Sequence, residues 1–298
     1  MSGLNVPRPE GAVLFINPKK DCARTLAEAV QAELDRRNIP WDTFCFDRKP
    51  DFTAQAGYRI AFSLGGDGTV LYAARAMAPL GVPVFPVNLG TLGFIAAIHA
   101  GEWLEVFERW LQGTAGLSRR LMLAAAVMRG GREVVRGICL NDIVISASGI
   151  AKLIRLRVSS GDMSLGEYRS DGLIAATPTG STAYSVAAGG PILDPELEAL
   201  IVNPICPFTL SHRPMVLPSG ETLTVEVDAE QRSGVLLTAD GQVTEPLEPG
   251  DTILIAKAPH PALLIASGRK SFYHALRTKL SWLGVPGDAG ASSGGCHA

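Results

Sequence analysis

Residues 59–77 are RIAFSLGGDGTVLYAARAM. Arg59–Leu64 is a short apolar run of buried-strand type, Gly65-Gly66-Asp67-Gly68-Thr69 breaks it, and Val70–Met77 is a helical stretch. Strand, glycine turn and helix in that order make a βα unit, and the flanking sequence repeats the theme. Upstream, Ala12–Ile16 (AVLFI) predicts a strand, and Asp21 caps a helix carrying Leu26, Val30 and Leu34 that ends near Arg37-Asn38. Downstream, Val82–Val87 predicts a third strand, followed by Asn88–Phe94 (NLGTLGF) and a helix over Glu102–Leu111. Strands spaced by helices imply a parallel sheet of α/β type.

The texture changes after about residue 117. Leu121–Met128, Gly137–Ser146, Leu153–Ser159, Thr222–Val227, Val235–Ala239 and Thr252–Ala256 predict short strands, several joined by Gly-containing turns. Only one helix is expected there, after Ser181. The fold class is therefore an α/β N-terminal domain with a parallel sheet plus an all-β, sandwich-like C-terminal domain. The expected boundaries are 1–116 for the first domain and 117–268 for the second. An amphipathic helix at 271–283 should pack back on the first domain, and a small, polar tail at 284–298 should be disordered.

Composition narrows the function. The 298 residues carry 27 Lys and Arg against 29 Asp and Glu, a net charge of −2. That gives no basic face for a general polyanion binder, so no nucleic-acid partner is expected. The longest apolar run, Leu121–Met128, is far short of a membrane span. Five cysteines form an odd, scattered set without a CxxC pair, which suits a reducing cytoplasm. Glycine is abundant, 32 residues, which implies many tight turns and close backbone approaches.

Three segments can carry chemistry. In Gly65–Thr69 the glycines let a phosphate approach a helix N-terminus, while Asp67 either orients magnesium, accepts a proton from an attacking hydroxyl, or simply belongs to a good turn. The stretch Asp171–Ala188 (DGLIAATPTGSTAYSVAA) packs four hydroxyls and a glycine into Thr177–Thr182. These suit ribose and pyrophosphate oxygens, or else an elaborate helix cap. Asn141-Asp142 interrupts an apolar strand, a costly placement unless the pair binds something or closes a strand-end turn.

Taken together and in this order, Gly65–Thr69, Asn88–Phe94, Asn141-Asp142 and Asp171-Gly172 with Thr177-Pro178-Thr179-Gly180-Ser181-Thr182-Ala183-Tyr184 resemble the motifs of the NAD kinases. The likeness runs from about Ala12 to Leu283 and ends in an Arg277-Thr278-Lys279-Leu280…Trp282 stretch similar to that family's last helix. The resemblance implies a site between two domains, homodimers or homotetramers, and transfer of the γ-phosphoryl of ATP to the 2′-hydroxyl of the adenosine ribose of NAD. It gives Asp67 the place of the general base, with Gly68 beside it. Asn141 and Asp142 take that of an Asn-Glu pair on the adenosine, and Asp171 that of a carboxylate near the nicotinamide carboxamide. Thr182, Ala183, Tyr184, Ser185, Val186, Ala187 and Gln242 match the NAD pocket, and Lys152 and Arg169 match more variable NAD contacts. Gly65, Gly66, Gly68, Thr69, Gly90 and Gly93 are expected to cradle the triphosphate, with Mg2+ bridging its oxygens through water. Asp142 departs from the family glutamate, yet its negative charge is expected to be kept. Asp67→Asn is expected to fold normally. A lipid kinase would not need the TPTGSTAY string, and a non-catalytic NAD sensor would not need Asp67.

Overall fold

The computed structural model describes residues 11–17, 21–45, 57–90, 93–149, 152–209 and 211–279, and the expected tail at 284–298 lies outside them. The chain divides into two compact units, 1–119 with 262–298, and 120–261.

The first unit begins β1 (Ala12–Ile16), α1 (Asp21–Arg36), β2 (Trp41–Cys45), β3 (Ile60–Gly65) and α2 (Asp67–Met77). It continues through β4 (Val84–Asn88), β5 (Ile98–His99), α3 (Trp103–Leu111) and β6 (Leu117–Arg120). α1 follows its apolar spacing: Ala23, Leu26, Ala27, Val30 and Leu34 are buried, and the chain leaves the helix at Asn38, whose φ is 56°. α2 starts at Asp67, three residues earlier than the sequence predicts, because Gly66 takes the N-cap position in extended conformation. Strands β1, β3 and β4 are apolar on both faces, as parallel strands covered on both sides must be. Phe62 packs tilted against Phe85 and edge-on against Phe107 (centroids 5.0 and 5.4 Å) in this core.

The second unit holds β7 (Leu123–Arg129), β8 (Arg132–Cys139), β9 (Asp142–Ala147), β10 (Ile154–Ser160), β11 (Met163–Ser170) and β12 (Gly172–Ala176). After the short helix α4 (Tyr184–Ala187) come β13 (Ala199–Ile205), β14 (Met215–Pro218), β15 (Leu223–Val227), β16 (Val235–Ala239), β17 (Val243–Leu247) and β18 (Thr252–Lys257). They form two antiparallel sheets, ordered β11-β10-β15-β18-β7-β8 and β14-β13-β12-β9-β16-β17. One large core lies between the sheets, fed by alternate residues such as Ile143, Ile145, Leu173, Ala175 and Leu237 from one sheet and Ile154, Val225 and Ile255 from the other. The strand expected over Gly137–Ser146 is two strands, broken at Leu140-Asn141.

The chain then returns to the first unit with β19 (Ala262–Ile265) and α5 (Arg269–Lys279). The first sheet is ordered β2-β1-β3-β4-β19-β6, with β5 on β4. β19 pairs parallel with β4, so the segment 262–268, placed by sequence in the β-rich domain, belongs to the α/β sheet. α5 buries Phe272, Ala275 and Leu276, and Phe272 packs on Phe94, centroids 6.3 Å apart.

In the second unit a bidentate pair ties one end of β7 to the turn before β18. The Arg129 Nε and Nη2 donate to the two carboxylate oxygens of Asp251 at 2.9 and 2.7 Å, and the Glu248 N–H adds a bond of 2.8 Å. Burial pushes the Asp251 carboxyl up, but the Arg129 bonds, the Glu248 N–H and the Arg129 charge outweigh it and hold it below the ordinary aspartate value. Such a group stabilises the fold above its unfolded-state pKa and loses that contribution as pH falls through its folded-state value. Asp251→Ala should therefore cost about 1–3 kcal/mol at neutral pH. The deficit should shrink once the pH falls below about 4. Denaturant titrations of both proteins at neutral and acid pH check this, and a deficit that does not change with pH contradicts it.

Candidate active site

β9 carries its residues alternately. Ile143 and Ile145 enter the sandwich core, so Asp142, Val144 and Ser146 share the opposite face. That face, with Thr238 of β16, the turn Asp240-Gly241 and Ala183-Tyr184, lines a cleft of about 380 Å³ whose end is Asn141-Asp142. The cleft therefore collects four of the residues expected to touch NAD: Asn141, Asp142, Ala183 and Tyr184.

The bend that presents Asn141 and Asp142 is held from two sides. On one side Asp240 accepts backbone N–H bonds from Leu140 and Asn141 at 3.1 and 2.7 Å, and a longer one from Asp142 at 3.4 Å. Asp240 itself adopts φ 52°, the left-handed region that Asp tolerates and that the Asp-Gly turn exploits. On the other side Thr177 donates its hydroxyl to the Leu140 carbonyl at 2.6 Å and its N–H to the Asn141 carbonyl at 2.8 Å. Gly180 lies so close that a Cβ there would fall 2.1 Å from the Asn141 carbonyl oxygen. Within this clamp the Asn141 Oδ1 is buried and has no hydrogen-bond partner. Asp142 is 5% exposed. Burial, and then the negative charge of Asp240, push its carboxyl up to about 7. The expectation that Asp142 keeps a fixed negative charge is corrected accordingly: near neutrality it exists in both forms.

The hydroxyls of the TPTGST loop serve the fold. Besides Thr177, the Ser181 Oγ donates to the Pro178 carbonyl at 2.6 Å and accepts the Leu193 N–H at 3.0 Å. The Thr182 Oγ1 donates to the Thr179 carbonyl at 3.3 Å, and Asn203 Nδ2 reaches the Ser185 carbonyl oxygen at 2.9 Å. The helix expected after Ser181 is a 3-10 turn over Gly180–Thr182 and then four residues of α4 without a side-chain cap, stopped by Gly189 at φ 80°. The reading as a helix cap gives way to a loop whose Thr177 buttresses the Asn141 bend. Ala188 and Leu193 cover the small apolar cluster of Val144, Ile174, Ala176, Ile201 and Ile205 behind it.

Other expected NAD contacts do not line the cleft. Asp171 is exposed and stands before β12, whose other end, Ala176, pairs with Asp142. That separates Asp171 from the cleft end by a strand length of roughly 16 Å at ~3.3 Å per residue. The Arg169 guanidinium lies 5.3 Å from the centre of the Phe208 ring, and Lys152 is exposed. Thr182, Ser185, Val186, Ala187 and Gln242 flank the cleft in sequence without lining it. Conversely Val144, Ser146, Thr238, Asp240 and Gly241 line it and were not among the expected contacts. Strict alternation along β9 and β16 was the available signal for the first three.

In the first unit Asp67 is a strut as well as a candidate base. Its carboxylate accepts the N–H groups of Phe94, Ile95 and Ala96 at 3.0, 3.2 and 2.9 Å. A Cβ on Gly93 would sit 2.1 Å from the Asp67 Oδ1, and one on Gly65 would sit 2.2 Å from the Thr69 Oγ1. Both glycines are thus required by contacts inside the unit. Gly66 has open space around it and Gly90 nearly so, which leaves these two available to a ligand. The expectation that Asp67→Asn folds normally is revised to a loss of stability, because an amide keeps one oxygen for Ile95 and Ala96 but turns its N–H2 against the Phe94 N–H.

An open glycine turn in the first unit and, in the second, a cleft that ends in an unpartnered acceptor and a buried carboxyl are features that suit nucleotide binding. Comparison with known proteins sharpens this. Residues 11–115 match the ATP-NAD kinase N-terminal domain and residues 140–267 the ATP-NAD kinase C-terminal domain. The NAD kinase of Treponema denticola is 41% identical over 275 residues, covering 91% of this chain and 96% of that protein. The NAD kinase of Koribacter versatilis is 44% identical over 222 residues, covering 74% and 77%. Yeast NADH kinase complexed with NADH superposes with a TM-score of 0.80 at 22% identity, covering 94% of this chain and 90% of that one. An NAD kinase from Archaeoglobus fulgidus in complex with ATP gives 0.69 at 24%, covering 89% and 96%. At those identities the two structures speak for the fold. The chain belongs to the ATP-NAD kinase family.

The clamp makes a titration prediction. In the unfolded chain an aspartate ionises near ~3.9, well below the folded-state value of about 7 for Asp142. The folded state thus holds the proton over the interval between them and gains stability as pH falls through it. A 13C titration of the Asp142 carboxyl should show a midpoint near 7, moving down in Asp240→Asn. A midpoint in the ordinary aspartate range in the parent protein contradicts the buried pair.

Proposed function

We propose that the chain, an enzyme that phosphorylates NAD to NADP with ATP, seats the adenosine of NAD in the Asn141–Asp142 cleft and transfers the γ-phosphoryl to the 2′-hydroxyl of that ribose. The observation that carries this reading is the buried, unpartnered Asn141 Oδ1 beside the Asp142 carboxyl, at the end of a cleft whose walls are Val144 and Ala183. A buried acceptor left bare costs stability unless a ligand donor meets it. An adenine amine or a ribose hydroxyl supplies that donor, and ionised Asp142 accepts a second hydroxyl. Asp171, a strand length away, takes the nicotinamide end, with Lys152 and Arg169 as outer contacts, Arg169 favouring NAD over NADH.

Asp67 receives the hydroxyl proton. A carboxylate offers roughly four lone-pair sites, and three backbone N–H groups occupy Asp67, leaving room for one further bond. The N–H groups also fix its orientation, which matters because phosphoryl transfer runs mainly on positioning and charge neutralisation, with base catalysis adding ~10²–10⁴-fold. Open Gly66 and Gly90 let the triphosphate approach the backbone. The residues present do not fit a resident magnesium: among the described residues no three His, Cys, Asp or Glu side chains converge. Magnesium enters the reading only as the counter-ion that ATP brings. Homo-oligomerisation and a cytoplasmic location complete the proposal; no helix among the described residues is long and apolar enough to cross a membrane.

Asp67→Asn should lower the melting temperature and cut kcat by orders of magnitude while NAD still binds, measured by calorimetry well below the melting point. Near-parent turnover removes Asp67 from the chemistry. Asp142→Ala should lower kcat/KM for NAD about 10- to 150-fold, the range set by losing one bond to a charged acceptor. Because kcat/KM reports the free enzyme, it should rise with pH through about 7 in the parent protein, where Asp142 ionises, and lose that step in Asp142→Asn. A merely structural role predicts lower stability with unchanged NAD kinetics.

A further inference from the structure

We infer that a second cleft, in the first unit, seats the phosphate tail of the donor nucleotide; this rests on the reading of ATP as donor and names the side chains that hold it. The cleft has a volume of about 310 Å³ and is lined by Gly93, Ala97, His99, Lys270, Ser271 and His274. Lys270 and His274 are four residues apart on α5 and so lie on one face of the helix. His99 ends β5, where it pairs with Asn88 at the end of β4. One ammonium and two imidazoles therefore converge from a helix and a sheet edge, and no carboxylate lines the cleft. Among the described residues Lys270, His99 and His274 have no ion-pair partner, unlike the arginines Arg36, Arg37, Arg129, Arg136 and Arg157, which all face carboxylates. In a chain of net charge −2, an unbalanced cationic cleft selects an anion.

Its position says which anion. Gly93 is shared between the cleft and Asp67, since a Cβ on Gly93 would touch the Asp67 carboxylate. Under the proposed reaction the anionic group that must come to Asp67 is the transferred phosphoryl with the tail behind it. The three N–H groups on Asp67 offset its charge, so a phosphate can approach without full repulsion. Lys270 supplies the fixed positive charge and the imidazoles supply N–H donors, the combination that phosphate oxygens accept.

The test uses the full chain with Lys270→Gln, Lys270→Glu, Lys270→Arg and His99→Gln. Expected is a rise in KM for ATP of about three- to tenfold for Lys270→Gln, the range between an exposed pair and a bond to a charged group. Lys270→Glu should exceed it and Lys270→Arg should stay near the parent value. KM for NAD should change less than about twofold and the melting temperature little, as exposed side chains imply. Inorganic tripolyphosphate, followed by calorimetry without turnover, should bind the parent protein, compete with ATP, and fail to bind Lys270→Glu. An unchanged KM for ATP in both Lys270→Glu and His99→Gln, with NADP still formed, overturns the inference and leaves the proposed function standing. Loss of tripolyphosphate binding with unchanged KM for ATP also overturns it, because the cleft would then hold a separate anion. A parent protein that makes no NADP contradicts the proposed function instead, and the tripolyphosphate arm still decides the cleft.

Discussion

Two carboxylates, each gathering the N–H groups of three successive residues, hold the segments on which the candidate site depends. Asp67 takes those of 94–96 and Asp240 those of 140–142. In both places the chain leaves a strand and turns, so no ladder partner is at hand for its N–H groups, and a buried N–H without a partner is costly. A charged acceptor serves all three at once and more strongly than neutral groups would. Each arrangement also needs a glycine where the chain passes close. Gly93 clears the Asp67 oxygen, and Gly180 clears the Asn141 carbonyl behind the second bend. The glycine richness of the sequence is in part the cost of these two closures.

The consequence for chemistry follows from the same bonds. Asp240 sets Asn141 and Asp142 at the cleft end, and burial of Asp142, with the charge of Asp240 added to it, pushes that carboxyl up to about 7. The TPTGSTAY segment, which draws the eye as a row of hydroxyls, spends Thr177 and Ser181 on backbone carbonyls of its own unit. What it contributes to the cleft is shape, with Ala183 and Tyr184 as wall. Around the bend the polar groups thus divide into those that hold it and a small remainder, the Asn141 Oδ1 and the Asp142 carboxyl, that stand at the cleft end.

The sequence was legible where burial is symmetrical. Strands β1, β3 and β4, apolar on both faces, and α1, with its regular stripe, stand close to where periodicity puts them. The strands that periodicity does not show are largely those at sheet edges: β2, β6, β11, β14 and β17, while only Gly137–Cys139 of edge strand β8 was read and was joined to β9. An edge strand has one neighbour and one partly wet face, so MSLGEYRS at β11 or VTEPL at β17 carries little alternation to read. β13 (ALIVNPI) is central and buried but is interrupted by Asn203-Pro204, which mimics a turn. At the site, residue types gave the Asn141-Asp142 pair, and the resemblance to the NAD kinases added Ala183 and Tyr184. The use of the loop hydroxyls and the role of Asp240 depend on contacts between segments far apart in sequence, which no local pattern contains.

The most direct test of this account is an NMR titration of the labelled full chain with NAD alone, following the Asn141 side-chain amide and the backbone of residues 138–147, 180–190 and 236–243. The account predicts that the Asn141 amide and its neighbours in the Asp142 cleft shift together along one binding curve, while the Arg129–Asp251 region of the same unit stays still. A protein that binds NAD with no change at Asn141, Asp142, Tyr184 or Thr238 would contradict it.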